Sequence, residues 1–407
     1  MSLKAFFAAK FLTLFFYSEV FGQNSFPLFK AYPSLEKKIP RVEFLTEQTP
    51  LQTLLSLQKN LYAEHQLPTP IEPLLWIKRD DNSSQPLGGN KARKLEFLIA
   101  DALSKKAKHI VTSGMLGSNH ALATALAVKK YGLKTTLILG PQPITENVRK
   151  KLLSFHAIGA NLRFHSNLAS MGFDILNFLL QSYFMPENGI YNIPPGGSTE
   201  VGSLGYVNAF FELVEQVGLE NLPTQIVVPL GSKGTTVGLL VGSCLAGAWE
   251  KVKIVGVDVS GSLFVTKSGV KEDAQDLYDF IKSHLSGEEC KKLPKCKFKK
   301  SKTAFEYVGG YYKPEYGSAK PEVYKTIDLL KESENITLDI TYSGKAMQFL
   351  LDRFHKFVSN NKTPPKTLFW LTYNSYDLDQ IISSHNWTNP QKKWLDLPAS
   401  FWPIYKN

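Results

Sequence analysis

Apolar positions along the chain change period again and again between residues 74 and 371. Short apolar runs at 74–78, 109–112, 135–139, 161–164, 225–230, 252–259 and 367–371 have the length of buried strands. Between them, at 91–103, 119–131, 146–158, 171–184, 205–217, 238–250, 273–285, 320–331 and 345–357, apolar residues recur at helical spacing. Alternation of this kind predicts an α/β protein built from parallel βαβ units, with helices on both faces of a sheet. Three prolines within residues 66–73 mark a loop. The segment Tyr191-Asn192-Ile193-Pro194-Pro195-Gly196-Gly197-Ser198 reads as a complete break in regular structure and as a hinge between domains.

A chain of 407 residues has room for two or three domains and an ample core. Hydrophobic residues make up 43% and charged residues 20%, the composition of an ordinary globular protein. The formal net charge of +11 suits a polyanion partner, yet the basic residues are scattered except for the cluster between Lys291 and Lys302. No nucleic-acid motif accompanies that cluster, so it reads as a solvated loop and no nucleic-acid partner is expected. Cys244, Cys290 and Cys296 form neither metal-ligand spacing nor an obvious disulfide framework, which favours a reducing compartment, and Cys290 with Cys296 would pair only in an oxidising one. No apolar run is long enough to span a bilayer. Residues 1–22 hold an apolar run interrupted by Lys10 and lack a small-residue cleavage site. A cytoplasmic protein is expected; export is the alternative if residues 1–22 act as a signal peptide.

The stretch that follows Gly88 carries the most chemistry. Gly88 and Gly89 make a turn, Asn90 is placed to cap the helix that follows, and Lys91 stands at its start. An amine at the positive end of a helix dipole, beside Arg93 and Lys94, has its charged form disfavoured, which suits a Schiff-base lysine. Further on, the loop Gly231-Ser232-Lys233-Gly234-Thr235-Thr236-Val237-Gly238 joins an apolar strand to an apolar helix, where small residues and a helix start can cradle a phosphate. It matches neither common nucleotide-binding fingerprint. Ser118, Asn119 and His120 open another helix, where free N–H groups would suit a carboxylate and plain capping explains Ser118 and Asn119 equally well. Tyr342 and Ser343 enter a third helix, with Tyr316 upstream.

Together these segments resemble the pyridoxal-phosphate enzymes related to 1-aminocyclopropane-1-carboxylate deaminase and D-cysteine desulfhydrase, of the tryptophan-synthase-β fold type (fold type II). The matching stretches are Leu75-Trp76-Ile77-Lys78-Arg79-Asp80-Asp81, Gly88 to Glu96, Ser118-Asn119-His120, Ile193 to Gly197, Gly231 to Gly238, Pro314 to Gly317 and Tyr342 to Met347. They occur in the family's order and cover the chain from about residue 40 to 375. The resemblance implies two domains with twisted, mostly parallel sheets flanked by helices and the cofactor in the cleft between them. The expected division is an extension over 1–38, a smaller domain over 93–198, and a larger cofactor-binding domain from 39–92 and 199–407. The resemblance also implies a homodimer and a small amino-acid substrate.

By the same resemblance, Lys91 carries pyridoxal 5'-phosphate and exchanges protons with the substrate Cα. Asn119 contacts the ring's phenolic oxygen. Asn90, Lys94, Gly231, Ser232, Lys233, Gly234 and Thr235 surround the cofactor, and Ser118, Asn119 and His120 the substrate carboxylate. Tyr316 and Tyr342 line the substrate side, and Ser343 and Thr372 are candidate partners of the pyridine nitrogen. Ring-opening deaminases place a carboxylate where Ser343 stands. A hydroxyl there implies a weaker electron sink and favours β-elimination from an amino acid such as D-cysteine, giving pyruvate, ammonia and hydrogen sulfide. A deaminase of the cyclopropane amino acid and a catalytically silent ligand-binding member of the fold are the alternatives. Two departures bear on this. Lys233 stands where the family has glycine, and Leu371-Thr372-Tyr373-Asn374 replaces a glycine-rich turn, which implies a narrowed or altered pocket.

Overall fold

The computed structural model describes residues 26–262 and 265–406. The export alternative for residues 1–22 therefore lies outside the described residues.

The strands are β1 (Leu51–Thr53), β2 (Leu75–Arg79), β3 (His109–Met115), β4 (Lys134–Gly140), β5 (Asn161–Phe164), β6 (Ile190–Ile193), β7 (Gln225–Leu230), β8 (Lys253–Asp258), β9 (Phe305–Val308) and β10 (Thr367–Leu371). The helices of eight residues or more are α1 (Leu55–Ala63), α2 (Gly89–Ser104), α3 (Asn119–Lys130), α4 (Glu146–Ile158), α5 (Leu168–Phe184), α6 (Glu200–Val217), α7 (Gly234–Leu245), α8 (Lys267–His284), α9 (Pro321–Glu334) and α10 (Ser343–Val358).

Two sheets result. The larger runs β1-β2-β10-β7-β8-β9 and is parallel apart from the antiparallel edge strand β1. The smaller runs β5-β4-β3-β6 and is parallel throughout. Strands β7 and β10 are buried at every position, because helices cover both faces and leave no solvent side to demand polar alternation. One face of the larger sheet packs Ile226, Val228 and Trp370 against α6 and α7; the other packs Val227, Val257 and Phe369 against α10.

Three departures from the sequence expectations have local causes. Ile190–Ile193 is an edge strand paired in parallel with β3, where a complete break was expected; Pro194 and Pro195 end it, and the break starts there. Residues 26–38, read as part of an extension, place Phe29 and Leu35 in the core of the larger sheet. The tryptophan-rich tail returns to the smaller sheet, where Leu397 and Phe401 join Leu137, Leu152 and Phe155. The cysteines also differ from expectation: Cys244 on α7 is bonded to Cys296, and Cys290 is free. With a sequence separation of 52, spacing along the chain could not reveal it.

Candidate active site

The helix that bears Lys91 is held from beneath by buried charges. Arg93 reaches away from Lys91 and donates to Asp80 and Glu212, while Lys78 donates to Glu212. Asp80 also accepts from Thr49, Tyr206 and Trp370 Nε1. Arg93 is thus a strut that ties α2 to β2, β10 and α6, and not the neighbour expected to perturb Lys91. Asn90 likewise does not cap α2. Gly88 is the N-cap with no side-chain bond, and Asn90 Nδ2 donates to Thr235 Oγ1 at 3.0 Å, joining the Lys91 turn to the glycine loop.

Lys91 Nζ donates to Asn90 Oδ1 at 2.8 Å. Burial holds its pKa down to about 8, against an opposing pull from Asp339. Desolvation, more than the helix dipole and neighbouring cations, therefore makes the neutral amine accessible. Around it lies a cavity of 480 Å³ lined by residues from both sheets. The lining includes Ser113, Ser118, Asn119 and His120 from the smaller sheet's side, and Gly231, Ser232, Tyr316, Tyr342 and Thr372 from the larger.

The glycine loop meets a second lysine. A Cβ built on Gly234 would lie 2.8 Å from Lys94 Nζ and 3.0 Å from the hydroxyls of Ser198 and Ser203, so glycine lets these donors close in on the start of α7. Lys94 is fully buried and donates to the Gly196 carbonyl at 3.1 Å. Burial, then the charge on Lys91, holds its pKa well below the ordinary lysine range. A buried amine with no anion beside it among the described residues, at a helix start next to a glycine, fits a phosphate. Lys233, in contrast, turns outward to Asp273 at 2.7 Å and neither reinforces nor blocks the cradle.

Ser118 caps α3, accepting from Ala121 N at 3.1 Å, and lines the cavity as well. Asn119 is held by a residue that sequence reading missed. Lys151 on α4 is buried and donates from Nζ to Gly117 O at 2.8 Å and to Asn119 Oδ1. With Oδ1 so engaged, the Asn119 amide is oriented with its Nδ2 as the remaining donor. His120 Nε2 lies 3.0 Å from Thr112 Oγ1, whose hydroxyl donates to Ile193 O, so Nε2 carries the proton. Nδ1 is buried without a partner, and burial, Lys91 and Lys94 keep the ring neutral.

Tyr316 and Tyr342 share a hydrogen bond between their hydroxyls. Burial raises Tyr316 to about 12 and Tyr342 well above the usual tyrosine value. Ser343 is not in the cavity wall. It is fully buried, and its Oγ donates to Asp339 Oδ1 at 2.6 Å. The wall holds Asp339 instead, a second residue missed in the sequence, whose carboxylate also accepts the backbone N–H groups of Thr341, Tyr342 and Ser343. Among the departures at the end of β10, Thr372 and Tyr373 line the cavity, while Asn374 turns back to donate to Pro86 O and Leu87 O.

A low-pKa lysine at one helix start, joined through Asn90 and Thr235 to a donor-lined glycine loop at another, in a cavity between two mostly parallel sheets, fits a class of enzyme that anchors a phosphorylated aldehyde through a lysine. The model of the pyridoxal-phosphate dependent enzyme family matches residues 42–371, and the chain belongs to that family. It is 36% identical over 327 residues to a Pyrococcus furiosus protein provisionally named 1-aminocyclopropane-1-carboxylate deaminase, covering 78% of this chain and 88% of that relative. It is 32% identical over 332 residues to the D-cysteine desulfhydrase of Serratia proteamaculans, covering 78% and 90%. The crystal structure of a homologue of the deaminase superposes with a TM-score of 0.65 at 29% identity, covering 87% of this chain and 98% of that one. A threonine deaminase at 17% identity and a TM-score of 0.53 shares the fold. The chain is therefore an α/β, pyridoxal-phosphate-dependent enzyme.

Proposed function

We propose that the chain catalyses β-elimination from a small amino acid, most readily D-cysteine, releasing pyruvate, ammonia and hydrogen sulfide. One observation carries this choice over ring opening. Asp339 is the only acidic residue in the cavity wall among the described residues, and its carboxylate is occupied by three backbone N–H groups and the Ser343 hydroxyl. The Thr372 hydroxyl is then the free candidate partner for the pyridine nitrogen, and a hydroxyl does not hold that nitrogen protonated. Bound pyridoxal phosphate supplies a sink for the electron pair left at Cα, and a neutral pyridine makes that sink a weak one. A weak sink suits loss of a good β-leaving group such as sulfide.

Lys91 would hold the cofactor, and its amine would take the Cα proton. The Cβ–S bond breaks, and the Tyr316–Tyr342 pair supplies a proton to the departing sulfur. Ser118 and the start of α3 would hold the substrate carboxylate, and Asn119 the phenolic oxygen. Lys94, Gly234 and Thr235 would hold the phosphate. Lys91 would take the place of the product nitrogen and so release the enamine, which water then hydrolyses to pyruvate and ammonia.

The second reading, the cyclopropane deaminase, is favoured by the presence of Asp339 in the same wall. Turnover of D-cysteine, L-cysteine and 1-aminocyclopropane-1-carboxylate decides between them. Sulfide and pyruvate from D-cysteine support β-elimination; activity on the cyclopropane compound alone overturns it. The Cys244–Cys296 bond is of a kind that persists in oxidising compartments, which supports the exported alternative over the cytoplasmic one.

A further inference from the structure

The basic cluster, expected as a solvated loop, is tied down on α7 and α8. Cys296 is bonded to Cys244 of α7, Tyr278 of α8 donates to Pro294 O at 2.8 Å, and Lys271 of α8 donates to Ser301 O at 2.6 Å. Leu293 and Phe298 are buried in the core of the larger sheet, and the Phe298 ring lies 5.1 Å from that of Trp249 and 5.7 Å from that of Tyr278. Leu293, Phe298 and Ser301 thus face inward, while all seven lysines between 291 and 302 are exposed. Few acids neutralise them. Lys291 pairs with Glu288 at the surface, a contact of little strength, and Glu289 turns instead to Ser34 and Ser286. Lys292, Lys295, Lys297, Lys299, Lys300 and Lys302 form no ion pair among the described residues. A free loop would spread such charges apart, whereas the disulfide and the Phe298 anchor hold these together against their mutual repulsion.

We propose that residues 291–302 form a docking surface for an acidic polysaccharide, a linear chain that bears sulfate or carboxylate groups. The chemistry of the cluster selects this partner. Its cations are all lysine, point charges without the forked geometry by which arginine reads phosphates and bases. It offers no aromatic ring on which a base could stack, since Phe298 is 1% exposed, so single-stranded nucleic acid lacks its usual platform. A lipid surface would call for an apolar side chain to insert, and Leu293 and Phe298 both face inward. Anionic lipid also belongs to the cytoplasmic leaflet, whereas the Cys244–Cys296 bond is of a kind that persists in oxidising compartments. Acidic polysaccharides are the polyanions of that side of the membrane.

The partner thus follows from the oxidising compartment and not from which amino acid is the substrate. The surface also stands apart from the chemistry. Cys244 lies ten residues along α7 from Gly234, roughly 15 Å on a helix, so docking leaves the active-site cavity open.

Titration of the full chain, with its cofactor bound, by heparin as a sulfated probe and hyaluronate as a carboxylated one tests it. At about 0.15 M salt, binding of at least one probe is expected, weakening steeply as salt is raised. Lys295→Gln/Lys297→Gln/Lys299→Gln/Lys300→Gln should weaken it at least about 10-fold, with circular dichroism and cofactor absorbance unchanged. Lys325→Gln/Lys356→Gln/Lys362→Gln/Lys392→Gln removes the same charge from exposed lysines elsewhere and should weaken it less than about 2-fold. The readout needs no turnover, so failure of the proposed reaction leaves it intact. Equal weakening in the two variants assigns binding to net charge alone and overturns the proposal. So does the binding of neither probe, or tighter binding of a DNA oligonucleotide or of phosphatidylserine vesicles through the same lysines. Mapping of non-reduced peptides in the protein from its natural source reports the Cys244–Cys296 bond, and its absence overturns the choice of partner.

Discussion

Ser343 and Asp339 bond each other three times at the start of α10: the Ser343 hydroxyl donates to Oδ1 at 2.6 Å, the Ser343 N–H donates to the same oxygen at 2.8 Å, and the Asp339 N–H donates to Ser343 Oγ at 2.8 Å. The serine is thereby a scaffold for the carboxylate that the cavity sees. Ser343→Ala is expected to lower folding stability by about 1.5–3 kcal/mol, the range for a hydrogen bond to a charged group. It should leave the ratio of D-cysteine to cyclopropane turnover unchanged. Urea melts and paired assays measure both, and a shift of that ratio towards the cyclopropane compound contradicts the scaffold role.

Lys94 closes in on Gly234 with no anion beside it among the described residues. Lys94→Met removes a charge-assisted contact to phosphate worth about 1.5–3 kcal/mol, so cofactor affinity should fall about 10- to 100-fold. Absorbance titration of the cofactor-free protein reads this directly. Unchanged affinity would place the phosphate elsewhere.

Lys151 links a buried positive charge to Asn119. Its pKa is held at about 8 by burial, with Asp339 pulling the other way, whereas an unfolded lysine titrates near about 10.4. Between these values the unfolded chain binds more protons than the folded one, so stability rises with pH across that window and is lower beneath it. Lys91 contributes in the same direction. In the cofactor-free protein, Lys151→Met should therefore flatten the rise in Tm between pH 8 and 10. It should also lower kcat/KM with the cofactor bound, because the Asn119 amide loses its orientation. A variant with the wild-type Tm slope and wild-type kcat/KM would show that Lys151 does neither.

Much of the fold was legible because parallel strands buried on both faces become continuous apolar runs, as at β7 and β10. Strands β1 and β9 were not. Each is three or four residues long at a sheet edge, where half-exposed positions leave no apolar run to detect. Lys91, Ser118 and the glycine loop were legible because helix starts and strand-to-helix turns have local signatures. Lys151 and Asp339 were not, for different reasons. Lys151 acts across 32 residues of sequence and looks like one of the many surface lysines until the fold buries it. Asp339 lies four residues before the position that drew attention, in a turn whose backbone donors are visible only once folded.

Arg93 shows how far the charge network extends from the chemistry. Arg93→Met leaves Asp80 and Glu212 buried with a cation removed, and breaking such a network typically costs about 3–5 kcal/mol. Guanidinium unfolding should shift to a lower midpoint with an unchanged slope. A loss of less than about 1 kcal/mol, the scale of an exposed pair, would show that Arg93 is not a strut.

Lys91, Lys94 and Lys151 all have depressed pKa values around one cavity, and the covalent link is assigned to Lys91 alone. Borohydride reduction of the holoenzyme, followed by proteolysis and mass spectrometry, identifies the lysine that carries the cofactor. A phosphopyridoxyl group is expected on the peptide containing Lys91, lost in Lys91→Ala. The same group on the Lys94 or Lys151 side chain, or on none of the three, would contradict it.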